Sequence, residues 1–200
     1  MGFADPIASL QHAIASAGGA SSDFDLNPDV VLPENRVLRP AAVLVPVTMV
    51  RGQAEVILTK RSSALKHHPG QIAFPGGKMD DTDADLAETA LREAEEEIGL
   101  PRQIVSMLGE MPLHETVTGF QVTPMVAHVT EAFDARPEAG EVDEVFHVPL
   151  AHFAGSQNFQ IQSRRWRGMR RSYYTVPYGP YYIWGATARM LRVLAEGLRT

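Results

Sequence analysis

The 200-residue chain contains no cysteine, which excludes disulfide cross-links and thiol catalysis. The same absence agrees with a reducing compartment, so a cytoplasmic location is expected. No apolar run approaches the ~20 residues needed to cross a bilayer. The first residues lack the basic stretch of a secretory leader, Asp5 preceding only a short mixed segment, so neither a signal peptide nor a membrane partner is expected. Basic residues are too few for a general nucleic-acid binder: 18 Lys and Arg stand against 24 Asp and Glu, a net charge of −6. An anionic substrate therefore needs local help from a bound cation and a few placed bases. There are no internal repeats and no low-complexity tracts. A 44% hydrophobic and 21% charged composition is that of a soluble globular chain with enough residues to bury a core.

Against this background, Arg92 to Leu100, reading R-E-A-E-E-E-I-G-L, is the most informative stretch. Glu93, Glu96 and Glu97 stand at i, i+3 and i+4, which on a helix gathers three carboxylates on one face. Like charges held together repel, and a fold that gathers them usually has a cation to hold. Oxygen-only ligation favours Mg²⁺ or Mn²⁺ over Zn²⁺. At about 100° per residue, Ala87, Leu91, Ala94 and Ile98 form one apolar stripe, with the glutamates on a separate arc. Arg92 lies four residues from both Glu88 and Glu96 and can pair with either. Asp81, Thr82 and Asp83 are candidate N-caps, Thr82 and Asp85 are spaced as a capping box, and Gly99 with Pro101 ends the helix. The competing reading is a solvated acidic helix. A calcium loop built on Asp81, Asp83 and Asp85 fails, because Leu86 and Arg92 occupy the positions that need Gly and Glu. Upstream, Phe74-Pro75-Gly76-Gly77 is a tight turn that lets backbone approach a ligand.

Together these residues resemble a Nudix box, G-x5-E-x7-R-E-U-x-E-E-x-G-U with U apolar. Arg92 to Leu100 fits its second half at every defined position. The first half departs: the sixth residue after Gly77 is Asp83 rather than Glu, and eight residues instead of seven separate it from Arg92. Before the box, Ile57-Leu58-Thr59-Lys60-Arg61-Ser62, Leu65-Lys66, Gly70, Ile72 and Phe74-Pro75-Gly76-Gly77 resemble the signature of coenzyme A pyrophosphatases within that superfamily. Val117 to Pro124 and Ile183 to Ala188 are similar to the same subgroup. The resemblance runs from about Arg39 to the end of the chain. It leaves residues 1–38 as an N-terminal extension with a short helix and 39–200 as the hydrolase domain.

The resemblance implies an α/β (α+β) fold, a Nudix-type α/β/α sandwich with a mixed sheet between helices. The chain reads compatibly. Helices are expected at 7–17, at Leu150 to Ala154 and at Trp184 to Leu198. Strands are expected at Ala41 to Val50 (with Pro46 marking an edge or bulge), Glu55 to Lys60 after a Gly52-Gln53 turn, 103–113, 120–130 and Val145 to Val148. A hairpin joins Phe159 to Arg165 and Arg171 to Val176 around Arg167-Gly168-Met169, and 18–40 is irregular.

The resemblance also implies the chemistry. Metal-activated water attacks a phosphorus of a diphosphate joining a nucleoside to another group, with Mg²⁺ or Mn²⁺ held chiefly by Glu93 and Glu97 and assisted by Glu96. Arg92 orients the carboxylates. Gly76 and Gly77 contribute a carbonyl ligand or let the diphosphate approach, and Arg61 and Lys66 meet substrate phosphates, unless Arg61 braces the sheet by pairing with an acid. For coenzyme A the products are 4′-phosphopantetheine and adenosine 3′,5′-bisphosphate. Other nucleoside diphosphates, such as ADP-ribose or a dinucleotide, and a non-catalytic nucleotide-binding module are the alternatives. Glu115, Glu141 and Glu144 are candidate bases, and His67 and His68 are expected to face solvent. The basic and aromatic run Arg164 to Arg171 with Tyr173 and Tyr174 borders the substrate, grips RNA as a stacking platform, forms a homodimer contact, or is an exposed structural hairpin.

Overall fold

The computed structural model describes residues 3–166 and 168–199, and of Trp166 the backbone alone. In chain order the elements are α1 (Pro6–Ala15), β1 (Ser21–Ser22), β2 (Arg39–Val50), β3 (Gln53–Arg61), β4 (Ile72–Ala73), β5 (Gly76–Lys78), α2 (Leu86–Ile98), β6 (Val105–Glu110), β7 (His114–Glu115), β8 (Phe120–Val129), β9 (Val142–Pro149), α3 (Leu150–Ala154), β10 (Gln160–Trp166), β11 (Met169–Thr175) and α4 (Gly185–Gly197).

The run A-A-V-L-V-P-V of β2 is apolar at successive positions because both faces of this strand are covered. Ala41, Val45 and Val47 enter one core with Leu10 of α1, Phe153 of α3 and Leu191 and Leu194 of α4. Ala42 and Leu44 point the other way, against Ala90, Ala94 and Ile98 of α2. Side chains alternate across a strand, so two cores on one strand mean a helix layer on each side. β2 is parallel to β8 and antiparallel to β3 and β5. Among the described residues nine strands join in this mixed sheet, along the path β1-β7-β8-β2-β3-β4, with β5, β6 and β9 pairing beside it. The architecture is the α/β/α sandwich expected. β10 and β11 form a separate hairpin. Arg167 of its expected turn lies outside the described residues.

Several local expectations are corrected. Pro46 is in a central strand, not at an edge. The N–H of Leu44 donates to the Pro75 carbonyl at 2.8 Å, so two residues on the Pro46 nitrogen faces the same side. There it falls between the segment paired with β5 (Ala41 to Val43) and the segment paired with β3 (Val47 to Val50), where the ladder asks for no donor. The β2–β3 turn is Arg51-Gly52, both at positive φ (49° and 80°), the geometry of a two-residue hairpin whose twist matches its strands. The strand expected over 103–113 is shorter, β6 covering Val105–Glu110, and β7 follows separately at His114–Glu115. The run before β2 is not wholly irregular, since Ser21–Ser22 pairs in parallel with His114–Glu115. The N-terminal helix contributes Leu10 and Ala13, both fully buried, and Gly197 of α4 has no room for a Cβ against the Ala13 backbone.

Helix α2 starts later than the candidate N-caps Asp81, Thr82 and Asp83 imply. Its N-cap is Asp85, whose carboxylate accepts the Glu88 N–H at 2.8 Å, and not the Thr82 capping box. Asp83 is withheld from capping because it is bound to Arg92. The buried stripe is Ala90, Ala94 and Ile98, with Leu91 and Ala87 only partly covered. Small residues at 90 and 94 let the helix sit close on the sheet, and that closeness brings Glu97 under cover. Gly99, left-handed at φ 66°, ends the helix, its N–H donating to the Glu95 carbonyl at 3.0 Å.

Candidate active site

The three glutamates of α2 do not share one environment. Glu97 is 5% exposed, and its carboxylate accepts the Gly76 N–H at 3.4 Å. Burial first, and then the Glu93 charge, push its pKa up to about 8. Glu93 is also raised, chiefly by burial, although Arg92 opposes the shift. Glu96 points outward, with its side chain 60% exposed, and is held by Arg92 at 3.0 Å. Glu93 and Glu97 are therefore a desolvated pair, and Glu96 is a third carboxylate standing apart.

Arg92 takes one partner at the helical spacing, Glu96, and others off it. Its partners are not Glu88, which pairs with Arg102, but Glu93 and Glu96 at 3.0 Å each and Asp83 by two bonds, Nε to Oδ1 at 2.8 Å and Nη2 to Oδ2 at 2.9 Å. The bidentate hydrogen bonding from a planar guanidinium fixes orientation as well as charge. It holds the Asp83 carboxyl well below the usual carboxylate range and keeps Arg92 firmly protonated. Asp83, the residue that breaks the box spacing, is thus the anchor of Arg92.

The glycine turn packs directly on the acidic pair. A Cβ on Gly77 would overlap the Glu93 carboxylate, and one on Gly76 would overlap the backbone of Ala42 and Val43. The turn also lines a cavity of about 700 Å³, a volume suited to a nucleotide-sized ligand. The glutamates lie behind the turn and not on the cavity wall. Of the predicted substrate contacts, Arg61, Gly76 and Gly77 line this cavity. Arg61 also acts on Glu97, lowering its pKa against the burial. Lys66 is exposed on the loop after β3 and is not on the cavity wall, whereas His67 and His68 are.

Among the candidate bases, Glu115 is paired with Arg36 and Glu144 accepts the Tyr181 hydroxyl at 2.5 Å. Glu141 is near enough for its charge to raise both Glu93 and Glu97. Sequence reading missed the residues that build the cavity's other wall. Asp23 accepts the Val117 N–H at 2.8 Å and contacts His114 Nε2 at 3.3 Å, while His114 Nδ1 meets the Ser21 hydroxyl at 2.9 Å. Asn27 holds Ser172 of β11 by both amide groups, at 2.8 and 2.9 Å. The only signal for these lay in isolated polar residues within an irregular run, and their partners are some 90 to 145 positions away.

A family model described as the NUDIX domain matches residues 38–169. The chain belongs to the Nudix family. Among its relatives are proteins named "Uncharacterized Nudix hydrolase NudL". That of Cronobacter sakazakii is 42% identical over 157 residues, covering 78% of this chain and 81% of that protein. That of Enterobacter sp. is 38% identical over 182 residues, covering 86% and 94%. Among solved structures, a Nudix hydrolase from M. smegmatis, RenU, matches with a TM-score of 0.49 and 21% identity over 60% of this chain and 82% of that one. The protein is a Nudix pyrophosphohydrolase acting on a nucleoside diphosphate derivative, which sets aside the non-catalytic reading.

Nudix hydrolases generally use divalent ions such as Mg²⁺ or Mn²⁺, and the donor chemistry here fits. Glu93 and Glu97 offer oxygen only, and each is destabilised as an anion by burial, a penalty that a hard dication offsets. Among the described residues no three acidic or imidazole side chains close on a common point, so ligation by all three glutamates requires Glu96 to turn from Arg92. No helix among the described residues is long and apolar enough to cross a membrane.

Proposed function

We propose that this Nudix hydrolase cleaves the diphosphate of coenzyme A or its derivatives, giving 4′-phosphopantetheine, or its acyl form, and adenosine 3′,5′-bisphosphate. The observation that carries this reading is that Arg61, Phe74, Gly76 and Gly77, all from the stretch resembling the coenzyme A pyrophosphatase signature, line one nucleotide-sized cavity whose wall rests on Glu93 and Glu97. Glu93 and Glu97 would hold Mg²⁺ or Mn²⁺, with Glu96 assisting. Such an ion, when bound, neutralises diphosphate charge and acidifies the attacking water. Arg92 fixes the Glu93 carboxylate. Arg61 meets a diphosphate oxygen from the cavity side. Glu141, whose charge acts on both buried glutamates, is our choice for the group that accepts the water proton. The test is incubation with coenzyme A and Mn²⁺ in ¹⁸O-labelled water, with the products separated by chromatography. Label on one of the two expected products supports the reading and identifies the attacked phosphorus. Intact coenzyme A alongside turnover of ADP-ribose or a dinucleotide would replace it.

A further inference from the structure

The β10–β11 hairpin carries charge that the diphosphate chemistry does not use. In its register Arg164 stands directly opposite Arg171, and both side chains line the cavity. Like charges paired directly across two strands destabilise a hairpin. An anion between them removes that cost and gains charge-assisted hydrogen bonds. Arg164 has no carboxylate within ion-pair distance among the described residues. Its guanidinium lies over the Trp184 ring at 4.4 Å, which steers the charge without neutralising it. Arg171 lies over Phe24 at 5.4 Å. The neighbouring Ser172 is clamped to Asn27 through both its N–H and its carbonyl, so the backbone under the pair is fixed. Asp23 is the acidic residue on this cavity wall among the described residues, and it is engaged by the Val117 N–H and by His114.

We infer that Arg164 and Arg171 form a second anion subsite, which takes a phosphate monoester on the ribose of the substrate, separate from the diphosphate that is cleaved. The inference rests on the reading of this cavity as the nucleotide site and gives its substrate class a specific mark: a nucleoside with an additional phosphate. Arg61 and Arg92 serve the acidic pair, whereas the hairpin arginines belong to another sheet and reach the cavity independently. Selection for the extra phosphate then resides in an element outside the family box.

The test is isothermal titration of the full-length protein in a Mg²⁺ buffer with adenosine 3′,5′-bisphosphate and with adenosine 5′-monophosphate, which differ by that one phosphate. The wild type is expected to bind the bisphosphate about ten-fold or more tightly, the size of one charge-assisted contact. In Arg164→Gln the preference should shrink to about two-fold or less, and Arg164→Lys should recover part of it. Equal affinity for both ligands in the wild type, or a preference that survives in both Arg164→Gln and Arg171→Gln, overturns the inference. Arg164 is exposed, so that variant decides the matter should Arg171→Gln not fold. Preference for the bisphosphate through Arg164 in an enzyme that leaves coenzyme A intact would keep the subsite and remove the substrate reading. Coenzyme A turnover without that preference would do the reverse.

Discussion

Glu96 and Glu97 are neighbours in sequence and opposites in environment. One is solvated and tied to Arg92; the other is buried beneath the Gly76 N–H. Under the proposed roles, Glu97→Gln and Glu93→Gln should each lower turnover at least ~10²-fold, the size of losing one preorganised electrostatic partner. Glu96→Gln should cost less. Steady-state rates of the three variants at saturating Mn²⁺ check the order, and near-normal turnover in both buried variants would move the metal elsewhere. Gly77→Ala tests the same centre from the backbone side. Its methyl group would displace the Glu93 carboxylate, so activity should fall about as far as in Glu93→Gln. Thermal unfolding should change little, because the atom displaced is the end of a side chain.

At the scale of elements, the segment before β2 braces the cavity. Asp23 holds the loop after β7, and Asn27 holds β11. Asn27→Ala removes two hydrogen bonds to one backbone residue and leaves both Ser172 groups to find other partners, a loss of about 1–3 kcal/mol measurable by urea denaturation. Because the hairpin then moves, KM should rise more than kcat falls. A KM within about two-fold of wild type, against the ten-fold worth of a charge-assisted contact, would show that β10 and β11 hold their position without this clamp. Helix α2 makes the complementary case. Its existence, glycine stop and glutamate spacing are local and were readable. Its N-cap was not, because Asp83 is recruited by Arg92 nine residues on, an interaction that outcompetes capping.

For the whole molecule, the buried acidic pair couples stability to pH. In metal-free protein Glu97 keeps its proton up to about pH 8, whereas the unfolded chain releases it near the ordinary value of 4.5. Between those values the folded state binds more protons, so stability falls as pH rises, by a few kcal/mol at the upper limit. Denaturation of EDTA-treated protein across this range should show the decline. Glu97→Gln should flatten it, and added Mn²⁺ should oppose it by favouring the ionised pair. A flat wild-type profile would mean that the pair is better solvated than its burial implies.

The local determinants were present in the amino-acid order itself: two-sided apolar runs for covered strands, helical spacing of carboxylates, and a glycine turn at a fixed distance from them. Those depend on neighbours along the chain, where period and sterics act directly. Which glutamate is buried, why Asp83 rather than a regularly spaced Glu meets Arg92, why Lys66 stays off the cavity while Arg164 and Arg171 line it, and how Asp23 and Asn27 reach partners some 90 to 145 positions away were settled only by packing. Desolvation and ion pairing depend on what surrounds a group in space, and no periodicity along the chain encodes that.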